Sequence, residues 1–237
     1  MNQPELSIVL PCYNEADNLP AIFKRFGDLF LENDDIEIIL VNNGSVDNSL
    51  EVMKRLSIGD QRFRICDISV NQGYGHGIMS GLEMANGEYI AWTHADLQTD
   101  AKDVIDALKK MKSQENPKNV FMKGRRKRRN FLDSFFTFGM SIVSSFAMGG
   151  LYHDVNAQPK LFHRSFVKKM DNPPDDFSLD LYSMHLAKKN NYREMQHPVY
   201  FHDRVNGEAK GGGTMIGKTR LIIRTLKYIF ELRSRRY

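Results

Sequence analysis

Through its first half the chain alternates between short apolar runs and amphipathic helical segments, and this limits the possible folds more than any other feature. Leu6–Leu10 is a buried-strand pattern closed by Pro11, after which Asp17–Leu31 sets Leu19, Ile22, Phe23, Phe26 and Phe30 on one side of a helix. Ile36–Val41 is the next strand, ended by Asn42-Asn43-Gly44, and Asp47–Leu56 reads as a helix capped by Ser45 or Asp47. A weaker strand at Phe63–Ile68 leads through the glycine-rich turn Asn71–Gly77 into a helix ending near Ala85. Tyr89–Thr93 is a fourth strand and Asp100–Met111 a further helix. Such βαβ alternation implies an α/β fold with a mostly parallel sheet flanked by helices. Ligands of such sheets bind beyond the carboxyl ends of the strands. The polar clusters Tyr13-Asn14-Glu15, Asn42-Asn43-Gly44-Ser45 and His94-Ala95-Asp96 all fall at that edge.

The second half is less regular. Val120–Gly124 reads as a strand, Phe131–Met148 as a long helix, Asp154–Phe162 as extended, Ser178–Asn190 as a helix and Tyr192–His202 as an extended pair. A glycine link, Gly211-Gly212-Gly213, leads to a basic amphipathic helix. This organisation predicts a catalytic domain over residues 1–210, with a ligand-binding half at 1–103 and a second half at 104–210, followed by the link and helix at 211–237.

The 237 residues suffice for one domain with a sizeable core, and 41% hydrophobic against 26% charged residues is a globular balance. Cys12 and Cys66 give neither a disulfide framework nor metal-ligand spacing, so a reducing, cytoplasmic setting is expected. No secretory leader pattern follows Met1. The uncharged stretch Ser134–Tyr152 is too rich in Ser and Gly for a membrane span, which needs about 20 predominantly apolar residues.

Each polar cluster suggests a role. In Pro11-Cys12-Tyr13-Asn14-Glu15 the proline fixes the turn, the tyrosine offers a stacking face, and the glutamate can accept from a ribose hydroxyl; a simple helix start is equally consistent. Asn43 could bond the edge of a nucleobase, or belong to an Asn-Gly turn. Gly73, Gly75 and Gly77 would let backbone approach a ligand at a helix start, although this is not a dinucleotide fingerprint. Asn86-Gly87-Glu88-Tyr89-Ile90-Ala91-Trp92-Thr93-His94-Ala95-Asp96-Leu97-Gln98 runs a buried strand straight into a carboxylate, with an amide two residues on. Oxygen ligands there suit Mg²⁺ or Mn²⁺. Asp100 is available as the helix cap, which leaves Asp96 for chemistry.

In this order, PCYNE, VNNGSVD, NQGYGHG and NGEYIAWTHADLQ resemble the nucleotide-binding half of an inverting family-two glycosyltransferase. The resemblance covers Leu6 to about Asp103. It implies a GT-A, Rossmann-like fold, a nucleotide-diphosphate sugar donor (UDP- or GDP-linked), inversion, and a divalent cation at Asp96 with Gln98 close by. Donor contacts are then expected from Pro11, Tyr13, Asn14, Glu15, Asn43, Gly73, Gly77, Ala95 and Asp96. The second half is similar to the dolichol- or polyprenyl-phosphate mannose synthase group through KGRR, DVNAQPKLF, SLD and HDRVNGEAK. By position this implies phosphate contacts from Arg126, Arg204 and Lys210.

Two departures stand out: the family's Asp-Ala-Asp is His94-Ala95-Asp96 here, and the carboxylate pair of strand two is Asn42-Asn43. His94 is then either a metal ligand favouring Mn²⁺ or a packing residue. An ionised lipid-phosphate acceptor needs cations, which Arg125–Arg129 supply; a saccharide hydroxyl needs a base, for which Asp180 is the candidate. The basic helix Thr214–Arg236 suits an anionic membrane surface, or packs on the domain or a second copy of the chain. A non-catalytic nucleotide-binding protein is the alternative to an enzyme. A nucleic-acid partner is not expected, because it would leave the polar clusters of the sheet rim unexplained.

Overall fold

A computed structural model describes residues 3–127 and 152–202, together with 223, 224, 227–229 and 231. The expected Phe131–Met148 helix, the glycine link, Arg204 and Lys210 lie outside the described residues.

Among the described residues, seven strands form one sheet. Strands β1 (Leu6–Cys12), β2 (Ile36–Asn43), β3 (Phe63–Ile68) and β4 (Tyr89–Trp92) are mutually parallel in the order β3-β2-β1-β4. The order continues β6-β5-β7, with β5 Val120–Lys127, β6 Lys160–His163 and β7 Arg193–Tyr200. β6 is antiparallel to both β4 and β5, whereas β5 and β7 are parallel. The helices are α1 (Leu19–Gly27), α2 (Ser49–Leu56), α3 (Tyr74–Met84), α4 (Lys102–Lys112) and α5 (Leu179–Lys189).

The unbroken apolar runs of β1 and β2 follow from burial on both faces of the sheet. Leu6, Ile8 and Leu10 share one core with Ile22 and Phe26 of α1 and Leu108 of α4. Val9, Ile39 and Val41 face the other, with Ile78 of α3 and Leu179 and Met184 of α5. The second core also takes in Tyr228 and Ile229, so these residues of the final helix pack on the domain. Among the described residues no helix is long and apolar enough to cross a membrane.

Element ends depart from the sequence reading where turn chemistry intervenes. The helix expected to reach Leu31 stops at Gly27 and continues as a 3₁₀ turn over Asp28–Leu31. The N-cap of α2 is Asn48 rather than the expected Ser45 or Asp47; Asp47, one residue earlier, accepts the Ser49 N–H on Oδ1 at 3.0 Å. Asp100 opens α4, with Oδ1 accepting from Lys102 N at 3.0 Å while its own N–H donates to Asp103 Oδ2 at 3.3 Å. Of the extended segment expected at Asp154–Phe162, only the end belongs to a strand.

Candidate functional site

Because β1, β2 and β4 run parallel, their carboxyl ends deliver three loops to one edge, with Cys12 beside Asn42 in the β1–β2 register. The first two loops are stitched together. Asn14, in the left-handed region at φ 52°, donates its N–H to Ser45 Oγ (3.0 Å) and accepts the Val46 N–H on Oδ1 (2.8 Å). Glu15 N–H donates to Ser49 Oγ (2.9 Å), and Glu15 Oε2 accepts from the Asn18 amide (2.6 Å). Asn42 is likewise occupied, donating to Asp67 Oδ1 on β3 at 2.8 Å.

Asn43 differs. Its Nδ2 donates to Gly73 O at 2.9 Å, which fixes the amide, yet its buried Oδ1 has no hydrogen-bond partner among the described residues. Gly77 makes room for that amide, since a β-carbon there would stand 2.9 Å from Nδ2. Gly73, at φ 119°, lets the backbone of Asp175 approach; a β-carbon would meet its carbonyl oxygen at 2.3 Å. Both glycines thus admit protein atoms, although Gly73 also borders the cavity.

These loops enclose a cavity of about 500 Å³. Pro11, Tyr13, Glu15 and Asn43 line one side, and His94, Ala95, Asp96 and Gln98 another. The Gln98 N–H donates to Asp96 Oδ1 at 3.1 Å, across a turn in which Leu97 takes φ 59°. Gln98 is anchored to His202 through its side-chain amide (3.0 Å) and its backbone carbonyl, which accepts the His202 N–H at 2.8 Å.

The opposite wall comes from the second half of the chain. Asp180, at the start of α5, is 0% exposed and borders the cavity. Its Oδ1 accepts from Gln158 Nε2 (2.9 Å) and Trp92 Nε1 (3.2 Å) and lies 3.6 Å from Lys160 Nζ, whereas Oδ2 is buried without a hydrogen-bond partner among the described residues. Arg126 is fastened to Asp154 by its backbone N–H (2.9 Å) and its guanidinium, with Nε at 2.8 Å. Tyr74 stacks on Phe177 with centroids 4.6 Å apart and accepts from Gln158 on its hydroxyl. Burial, with Asp180 and Asp96 adding to it, holds the Tyr74 hydroxyl well above its usual pKa, so it stays protonated. Arg224 of the final helix completes the wall, with Nε 3.5 Å from Asp176 Oδ2.

The structure therefore gathers most of the expected residues at one cavity, Arg126 and Asp180 included. Asn14 and Gly77 do not border it; they hold the loops that do. Sequence reasoning missed Tyr74, Asn156, Asp176, Phe177 and Arg224, all on the cavity wall, and the supporting Gln158 and Lys160. Among the described residues, no cluster of three or more His, Cys, Asp or Glu is arranged to hold a metal ion. Any cation at Asp96 would take its remaining ligands from elsewhere, such as a bound anion.

The sequence model of glycosyl transferase family 2 matches residues 7–137. The chain belongs to that family. This glycosyltransferase-family chain is 32% identical over 109 residues to the uncharacterized glycosyltransferase YkcC of Bacillus subtilis, covering 46% of this chain and 34% of that protein. It is 37% identical over 109 residues to the undecaprenyl-phosphate 4-deoxy-4-formamido-L-arabinose transferase of Yersinia pestis, covering 44% of this chain and 33% of that one. The matched region thus spans about a third of each curated relative. Among solved structures, the mannosyltransferase PcManGT of Pyrobaculum calidifontis superposes with a TM-score of 0.71 at 17% identity, over 100% of this chain and 66% of that one. Glucosyl-3-phosphoglycerate synthase of Mycobacterium tuberculosis gives 0.73 at 14% identity, over 95% and 79%. The fold is GT-A, as the sequence resemblance implied.

Proposed function

We propose that the chain transfers a sugar, with inversion, from a nucleotide-diphosphate sugar to a polyprenyl phosphate. The observation that carries the donor half is the Asn43 carboxamide, whose amide nitrogen is committed to Gly73 while its buried oxygen waits for a donor. An N–H on a nucleobase edge satisfies it, and Tyr13 on the same wall offers a stacking face. PcManGT was solved with GDP-Man and Mn²⁺, and the Mycobacterium enzyme with Mn²⁺ and UDP-Glc, which supports donors of this class.

The donor set at Asp96 fits a divalent cation completed by diphosphate oxygens. A carboxylate and the Gln98 amide oxygen are hard ligands, and His94, which lines the same cavity, would tilt preference from Mg²⁺ toward Mn²⁺ if it joined them. Bound there, such an ion would supply Lewis-acid stabilisation of a departing nucleoside diphosphate. Glu15 borders the same side and can accept from a ribose hydroxyl. Inversion by single displacement requires no covalent nucleophile from the protein.

A phosphate acceptor arrives ionised, so the protein needs only to bind and orient it. Arg126 is held on the cavity wall by Asp154 for that role, with Arg204 and Lys210 assigned to it by sequence position. The Yersinia relative's name supports a polyprenyl-phosphate acceptor. The basic residues near the end of the sequence, Lys218, Arg220, Arg233, Arg235 and Arg236, suit peripheral contact with an anionic membrane. A second reading has its own support: the unpartnered Oδ2 of Asp180 is suited to take a proton from a saccharide hydroxyl.

The test is to incubate the protein with UDP- and GDP-sugars, Mn²⁺, and either undecaprenyl phosphate in detergent or soluble saccharides, and to identify products by mass spectrometry. A lipid-linked sugar phosphate is expected. Sugar on a saccharide alone selects the second reading, and no transfer to either acceptor overturns both.

A further inference from the structure

Two lysines stand where a sheet interior ordinarily excludes them. Lys123 of β5 and Lys160 of β6 are each 0% exposed, and they face each other as register partners across the β5–β6 pair. Like charges directly opposite in a sheet repel, and a buried ammonium is costly unless paired and hydrogen-bonded. Among the described residues their carboxylate partners stand at ion-pair rather than hydrogen-bond distance: Glu194 is 3.9 Å from Lys123 Nζ and Asp180 is 3.6 Å from Lys160 Nζ.

Both ammonium groups instead grip the backbone of one loop. Lys123 Nζ donates to His153 O and, at 3.5 Å, to Asp154 O. Lys160 Nζ donates to Val155 O at 2.6 Å and Ala157 O at 2.7 Å. The side chains of this loop build the acceptor wall. Asp154 holds Arg126, Asn156 borders the cavity, and Gln158 donates to Asp180.

We propose that Lys123 and Lys160 are positioning residues that clamp the loop at residues 153–158 from beneath the sheet edge and thereby fix Arg126 and Asp180 on the acceptor side of the cavity. Their involvement in transfer rests on the glycosyltransferase reading of that cavity. The clamp itself rests on the hydrogen bonds alone. Donor binding is assembled mainly by the loops after β1, β2 and β4, which meet the clamped loop only indirectly, where Gln158 donates to the Tyr74 hydroxyl and Trp92 of β4 donates to Asp180.

Lys160→Met and Lys123→Met test this with three readouts. Hydrogen exchange should show the amides of 153–158 losing at least tenfold in protection, while those of β1 and β2 keep theirs. UDP or GDP affinity should stay within about threefold of wild type. Transfer should lose tenfold or more in kcat/KM for the acceptor, with KM for the donor unchanged. Lys160→Gln keeps an N–H donor for one carbonyl and should fall between; it carries the test if Lys160→Met does not fold. Unchanged protection at 153–158 overturns the clamp, and so do donor affinity and global stability falling in step with transfer. If the wild type transfers no sugar, the functional reading has failed, and hydrogen exchange still decides the clamp.

Discussion

The side-chain amide of Asn43 lies over the α-carbon of Gly77, so closely that a β-carbon there would stand 2.9 Å from Nδ2 and 3.0 Å from Cγ. A helix glycine thereby sets the position of a buried amide oxygen that has no hydrogen-bond partner among the described residues. Gly77→Ala should push Asn43 aside and weaken nucleotide binding about tenfold, or ~1.4 kcal/mol. Calorimetric titration checks this, and an unchanged affinity would remove Asn43 from the base-binding role.

Asp180→Asn separates the two acceptor readings. An ionised phosphate acceptor needs no base, so transfer to a polyprenyl phosphate should survive the substitution within about tenfold, since the amide can keep one oxygen on Gln158 and Trp92. A hydroxyl acceptor loses the factor that general bases typically contribute, on the order of 10²–10⁴ in kcat. Steady-state rates at saturating donor distinguish the two.

How much of this was legible beforehand depends on where each residue sits relative to a strand. Tyr13, Asn43 and Asp96 lie at or within four residues of the carboxyl ends of apolar runs, so their placement at one edge came with the βαβ pattern. Asn14 and Gly77 lie in the same motifs but serve the protein, because left-handed turns and tight helix–loop contacts call for the same residue types as ligand contacts do. Arg224 and Asp176 lie far apart in sequence and meet only through the packing of Tyr228 and Ile229, which no local period records. Gln158 and Lys160 carried a faint signal: polar and charged residues directly before the apolar Leu161-Phe162 of a buried strand.

The final helix makes a separate prediction. Ile229 is 1% exposed in the core shared by α3 and α5, so Ile229→Ala should cost about 2–5 kcal/mol, read as a lower denaturation midpoint. A neutral effect would mean that the helix does not pack on the domain in solution.

Lys123 gives a pH signature. Burial, reinforced by the Lys160 charge and opposed by Glu194 and Asp154, pushes its ammonium down to about 8, with Lys188 a smaller influence in the same direction as Lys160. The folded protein therefore releases this proton before the unfolded chain does. Below pH 8 the buried charge costs stability, and between pH 8 and 10.5 the unfolded state binds more protons, so stability rises with pH. The full span is worth roughly 3 kcal/mol at 1.36 kcal/mol per unit. Denaturant titrations of wild type and Lys123→Met across that window should show the wild type gaining on the variant as pH increases. A pH-independent difference would contradict the assignment.

The central claim is that the cavity binds a nucleotide diphosphate through Asn43 and a cation at Asp96. Its most direct test is calorimetric titration of wild type and Asp96→Ala with UDP and GDP, each with and without Mn²⁺. One nucleotide should bind only with Mn²⁺, and Asp96→Ala should abolish this binding while the thermal midpoint is retained. Failure of both nucleotides to bind the wild type, or metal-dependent binding that survives the loss of Asp96, would contradict it.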